Sequence, residues 1–71
     1  MNIKIALIEL GKRQVDLIPQ LEKRGLKILP CDISTALNEN RFYNQPKMVK
    51  IRAAITEIID EWRREKNEND L

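Results

Sequence analysis

Three features of these 71 residues predict an all-α domain. Apolar residues recur at spacings of three and four along PKMVKIRAAITEIIDEWRREK, the shorter apolar stretches end in Gly11, Gly25 or asparagine, and at most two segments alternate as strands do. The expected architecture is a compact helical bundle closed by a long C-terminal helix. Residues 1–66 form one domain, and residues 67–71, polar and without periodicity, form a fraying tail.

Taken in order, NIKIALIEL is ambiguous at first sight. Ile3, Ile5 and Leu7 alternate, while Ile3, Ala6, Leu7 and Leu10 make one helical face. Helix is favoured because Ala6, Leu7, Glu9 and Leu10 are helix formers and Gly11 stands where a left-handed residue closes a helix. QVDLIPQLEKRG places Val15, Ile18, Leu21 and Leu17 on one side and stops at Gly25. Pro19 lacks an N–H and crowds the carbonyl four residues back, so this second helix is kinked or made of two short turns. GLKILPC is an extended connector anchored by Leu26, Ile28 and Leu29, because Pro30 disfavours a helix running through Leu29. Asp32 then sits as an N-cap before ISTALN, a short helix that turns Ile33, Ala36 and Leu37 inward and leaves Ser34, Thr35 and Asn38 outside. ENRFYNQ is a polar turn in which Phe42 belongs to the core. The last helix starts at Pro46 and carries Met48, Ile51, Ile55, Ile58 and Trp62 on its apolar stripe.

An α/β unit with strands at 3–8 and 27–32 is the competing reading. It lacks a phosphate loop: ELGKRQ has a single glycine, where several are needed for backbone amides to approach a phosphate. Two strands also make a sheet whose faces one long helix hardly covers.

Composition narrows the function. A chain this short has room for one small core and no separate catalytic lobe. Cys31 is the only cysteine and histidine is absent, which excludes an internal disulfide and a credible zinc site and suits a reducing cytoplasm. No apolar run approaches a membrane span, and the N-terminal residues lack signal-peptide features. Nucleophile and base are not paired anywhere, so catalysis is not expected, and no cofactor or small-molecule ligand is implied. Net charge is +2, distributed as +5 through Arg52 and −3 beyond it. A basic body of this kind is the electrostatic footprint of a nucleic-acid binder, or an ordinary solvated surface.

These residues resemble a known family. A first helix ending in LG, the following KRQVDL, a second helix and the short ISTALN helix are similar to the helix-turn-helix DNA-binding regulators of the Cro and lambda-repressor type, particularly small phage-related ones. The resemblance covers residues 2–59. Gly11 and the stretch from Gln14 to Leu17 match the family's helix-1 glycine and Q-x-x-L start of helix 2, and Ile33 to Asn38 match its recognition helix. The chain departs from the pattern in three places: Pro19 lies inside helix 2, about five extra residues within KRGLKILP separate helices 2 and 3, and Glu39 replaces the glycine after ALN. The turn after the recognition helix must therefore close differently, with Asn40 as the candidate.

The resemblance implies double-stranded DNA as partner, with Cys31, Thr35 and Asn38 toward base edges. It places Gln14, Ser34, Arg41, Lys47 and Lys50 on phosphates. Each has a plainer alternative: a solvated helix start for Gln14, intrahelical bonding for Ser34, termination of the helix for Asn38, solvated charge for the cations. The family commonly binds as symmetric dimers, and Ile58, Ile59 and Trp62, near the end of a helix longer than a three-helix module covers, are the expected interface. A repressor-like transcriptional regulator is the function these expectations add up to. The alternative from another class is a protein-binding module, antirepressor-like or antitoxin-like, that docks a partner on the apolar stripe of the last helix.

Overall fold

The computed structural model describes residues 2–69, with side chains through Asn67. It is all-α: α1 spans Ile3–Leu10, α2 Leu17–Lys23 preceded by a 3-10 turn at Gln14–Asp16, α3 Pro30–Leu37 and α4 Pro46–Asn69. No strand occurs among the described residues, which removes the α/β reading. The helix through Asn69 also extends over much of the expected tail; residues 70 and 71 lie outside the described residues.

Each short helix is closed by side chains or glycines that the sequence supplies at its ends. The Asn2 side chain accepts the Ile5 N–H at 3.2 Å to start α1. Gly11, at φ 69°, ends it, bringing the Gly11 and Lys12 N–H groups onto the Ile8 and Leu7 carbonyls. Gly25, at φ 82°, closes α2 in the same way, with Leu26 N–H on the Leu21 carbonyl at 3.0 Å. At Pro19 the alternative of two short pieces is the one realised. The 3-10 turn precedes it, and the proline falls in the first turn of α2, where a missing N–H leaves no intrahelical bond unmade. This break shifts the register, so Leu17 and Leu21 are fully buried while Val15 turns out to solvent.

The start of α3 differs from the expected one. Pro30 occupies the first helical position, and Asp32 is the third residue of the helix rather than its N-cap. Its carboxylate reaches back to accept the Leu29 N–H at 2.9 Å. The physical reason is that proline needs no donor there and has the right φ already, so the helix begins three residues earlier. Leu29 thereby becomes the cap residue and is 65% exposed, not an anchor. At the other end Asn40 closes the turn. Its amide nitrogen donates to the Thr35 and Asn38 carbonyls, and its oxygen accepts the Phe42 N–H. Phe42 is not a core residue; it lies exposed under the Arg41 guanidinium, 4.6 Å from the ring centre.

The core is one cluster. Met48, Ile51, Ile55, Ile58 and Ile59 of α4 meet Ile3, Ala6 and Leu7 of α1, Leu17 and Leu21 of α2, Ile28, and Ile33 and Ala36 of α3. α4 packs against each of the other three helices, and α3 also touches the 3-10 turn. Ile55 is fully buried near the middle of the α4 stripe. Ile55→Ala is expected to cost about 3 kcal/mol, transfer and cavity terms together. In a domain this small that consumes most of the stability, so urea titration followed by circular dichroism should show the midpoint collapse toward zero denaturant.

Candidate functional site

α3 is a two-turn helix held from behind. Ile33 and Ala36 are buried against α4 and the 3-10 turn, while the opposite ridge, Cys31 and Ser34, is exposed. The N-terminal end, formed by Leu29, Pro30 and Cys31, is exposed too. This is the surface on which the sequence expectations converge, and the structure sorts them.

Of the three residues expected at base edges, only Cys31 has its functional group exposed and without a hydrogen-bonded partner among the described residues. The Thr35 hydroxyl donates to the Cys31 carbonyl at 2.8 Å, one turn back within the same helix, and the residue is half-buried. Asn38 is the C-cap. Its amide nitrogen donates to the Ser34 carbonyl at 2.7 Å, and its oxygen accepts from the Lys4 ammonium of α1. Both ends of its amide are therefore engaged in terminating the helix and tying it to α1. Asp32, capping Leu29 and 3.5 Å from Lys47, is likewise held within the fold.

The residues expected on phosphates are placed as follows. Ser34 is exposed on the outer ridge, its hydroxyl oxygen accepting from the Asn38 amide at 3.3 Å. Gln14 is half-buried at the start of the 3-10 turn. Arg41 and Lys50 are exposed, and Lys47 is exposed but shares its charge with Asp32. A surface ion pair of this kind contributes little to stability and leaves the ammonium able to change partner.

Two cations that the sequence reading did not single out complete the surroundings. Arg52 of α4 donates to the Ala36 carbonyl at 3.1 Å and lies 3.8 Å from the centre of the Tyr43 ring. Lys4 reaches Asn38 from α1. Both border a cleft of about 400 Å³ between the start of α1 and the end of α3, shared with Asn2, Asn38, Glu39 and Tyr43. Nothing in local spacing marks Arg52, because its partners lie 16 and 9 residues away across the turn. Among the described residues no three His, Cys, Asp or Glu side chains gather as a metal site would require. No helix of the described residues is long and apolar enough to cross a membrane.

The proposed dimer surface requires correction. Ile58 and Ile59 are fully buried within the single chain, part of the same cluster as Leu7 and Leu21. Trp62 is half-buried against that cluster, with the Lys12 ammonium 5.1 Å from its ring centre. α1 covers this part of α4, and Lys66 reaches back to the Glu9 carbonyl. The stripe is long because three short helices need all of it. The same burial makes Met48, Ile51, Ile55, Ile58 and Ile59 internal to the chain.

No family model, curated protein or solved structure matches this chain.

With Trp62 packed on its own domain, Trp62→Glu is expected to act on stability. It should lower unfolding free energy by about 1–2 kcal/mol through lost apolar burial and the lost cation contact. Sedimentation of the folded fraction should show the same assembly state as wild type; a shift from dimer to monomer at unchanged stability would return Trp62 to an interface.

Proposed function

We propose that the chain binds double-stranded DNA through α3, as a helix-turn-helix regulator of transcription. The observation that carries this reading is the placement of α3. One side of it is fixed to α4 by Ile33 and Ala36, and its N-terminal end and Cys31–Ser34 ridge face solvent. An α-helix presented this way fits the major groove, which is wide enough to admit it. Exposed Arg41 and Lys50, with Lys47 beside Asp32, lie in the turn and first turns of α4 that follow it, where cations hold the phosphate backbone. Ser34 and Gln14 add neutral phosphate contacts. Occupying an operator in this way is the mechanism of a repressor. The resemblance also implies two copies on adjacent half-sites; such pairing uses a surface other than Ile58 and Ile59, which are internal.

Phosphate binding displaces condensed counterions, so affinity for a mixed-sequence duplex should fall linearly as the logarithm of salt rises. Arg41→Ala and Lys50→Ala are each expected to weaken binding to every sequence alike. Each should reduce the slope by about one phosphate per subunit. Fluorescence anisotropy over a series of salt concentrations reads both quantities. Absence of binding at low salt, in protein whose helical circular dichroism is intact, overturns the proposal.

A further inference from the structure

The reading surface of α3 has an unusual chemistry. Specific contacts to guanine and adenine are made mostly by bidentate groups, Arg or Lys on guanine and Asn or Gln on adenine, with carboxylates on cytosine. PCDISTAL contains no Arg, Lys, Asn or Gln at all. Its one carboxylate, Asp32, is engaged by the Leu29 N–H and by Lys47. The amide that follows, Asn38, is engaged at both ends. The Thr35 hydroxyl proton is committed to the Cys31 carbonyl, which leaves a methyl group and an oxygen that only accepts. What remains is the Ser34 hydroxyl on the outer ridge and, at the exposed N-terminal end, Leu29, Pro30 and Cys31, three adjacent residues none of whose side chains presents a strong donor or acceptor.

Leu29 is the second observation. Leucine is among the poor N-cap residues, well behind Ser, Asp or Asn, and here it is 65% exposed. Neither helix stability nor core packing accounts for it. It sits at the end of α3 that enters a groove first, with Lys47 close by on Asp32 and Lys50 one turn further along α4.

Resting on the DNA-binding reading above, we infer that α3 selects its site by apolar contact with the C5-methyl groups of thymine, through Leu29, Pro30 and Cys31, rather than by hydrogen bonds to base edges. The thymine methyl is the one apolar group the unmodified major groove offers. An apolar patch carried into the groove by flanking cations has no other feature to distinguish. The preferred ligand is therefore duplex DNA with thymines clustered in the major groove face that α3 covers, and 5-methylcytosine presents the same chemistry at G·C pairs.

The test uses alternating duplexes that differ only in that methyl: dA·dT against dA·dU, and dG·dC against its 5-methylcytosine form. Thymine and uracil present identical minor-groove acceptors, so a difference reports the major-groove methyl. The dA·dT duplex is expected to bind tighter than dA·dU by about fourfold per methyl buried, and methylated dG·dC should gain over unmethylated by a similar factor. Leu29→Ser should bring both ratios toward one while keeping the helix, because serine is a favoured cap. Equal binding to dA·dT and dA·dU, with a steep salt dependence on both, overturns methyl reading and leaves DNA binding standing. A Leu29→Ser ratio equal to that of wild type overturns it as well, by removing Leu29 from the contact. Failure to bind any of the four duplexes at low salt overturns the DNA-binding reading itself.

Discussion

The apolar stripe of α4, from Met48 through Ile51 and Ile55 to Ile58 and Ile59, is the constraint on which everything else rests. α1, α2 and α3 are 8, 7 and 8 residues long. Helices of two turns do not hold in water by themselves, because nucleation costs more than so few hydrogen bonds return. Each is stable only while its apolar residues lie on α4, and α4 in turn is long because it must serve three partners. That is why Ile58 and Ile59 are internal: α1 needs the far end of the stripe. It also means that α3 cannot be perturbed from behind without loosening the whole domain.

Short helices have a second requirement, which shapes the outer surface. Four N–H and four C=O groups go unpaired at the ends of every helix, so in a two-turn helix nearly every residue is at an end. This chain meets the need with polar side chains and glycines: Asn2 and Gly11 for α1, Asp16 and Gly25 around α2, Asp32, Asn38 and Asn40 for α3. The residues best suited to recognise a base are thus the ones engaged in keeping α3 folded. A helix of this length bearing Asn and Asp side chains at its ends presents little hydrogen-bonding chemistry outward, and its apolar and cationic groups acquire correspondingly more weight.

How much of this was legible in the sequence follows from the range of the interactions involved. The spacing of Met48, Ile51 and Ile55 defines α4, and Gly11 and Gly25 mark the ends of α1 and α2, because periodicity and left-handed backbone are local properties. Asn40 as the closing residue of the turn after α3 was readable for the same reason. The start of α3 was misplaced because Asp32 and Pro30 both signal a helix start, and only the fold shows that proline takes the first position while aspartate caps from the third. Phe42, expected in the core, is outside it because the cluster is already filled by isoleucines and leucines and the ring is left to stack under Arg41. Of the candidate site, the outward Ser34 and the exposed Arg41 and Lys50 were readable from periodicity and charge, whereas Thr35 and Asn38, expected outside, are half-buried. Termination of α3 by Asn38 was readable as well, but the Lys4 contact to Asn38 and the Thr35 bond to Cys31 were not, since they depend on a residue distant in the chain and on a backbone carbonyl that carries no sequence signature.

The long-range cations explain how so small a domain holds α3 at a defined angle. Arg24 at the end of α2 bridges to Glu57 and Glu61, one turn apart on α4, at 3.4 and 2.8 Å. Exposed pairs of this kind add little stability, but a fork on two carboxylates restricts how α2 can turn about α4. Arg52 does the same for α3, and from a better position. It is half-buried, it satisfies the Ala36 carbonyl in the last turn where carbonyls lack helical partners, and its guanidinium is fixed from one side by Tyr43. At the opposite end of α3, Lys47 on Asp32 makes a weaker tie to the first turn of α4. α3 is thus anchored to α4 at its C-terminal end by a half-buried cation and at its N-terminal end by an exposed one. The end that faces outward is the one whose tie is easily exchanged, so on the proposed DNA-binding reading a phosphate there would compete with a single carboxylate and leave the rest of the helix in place.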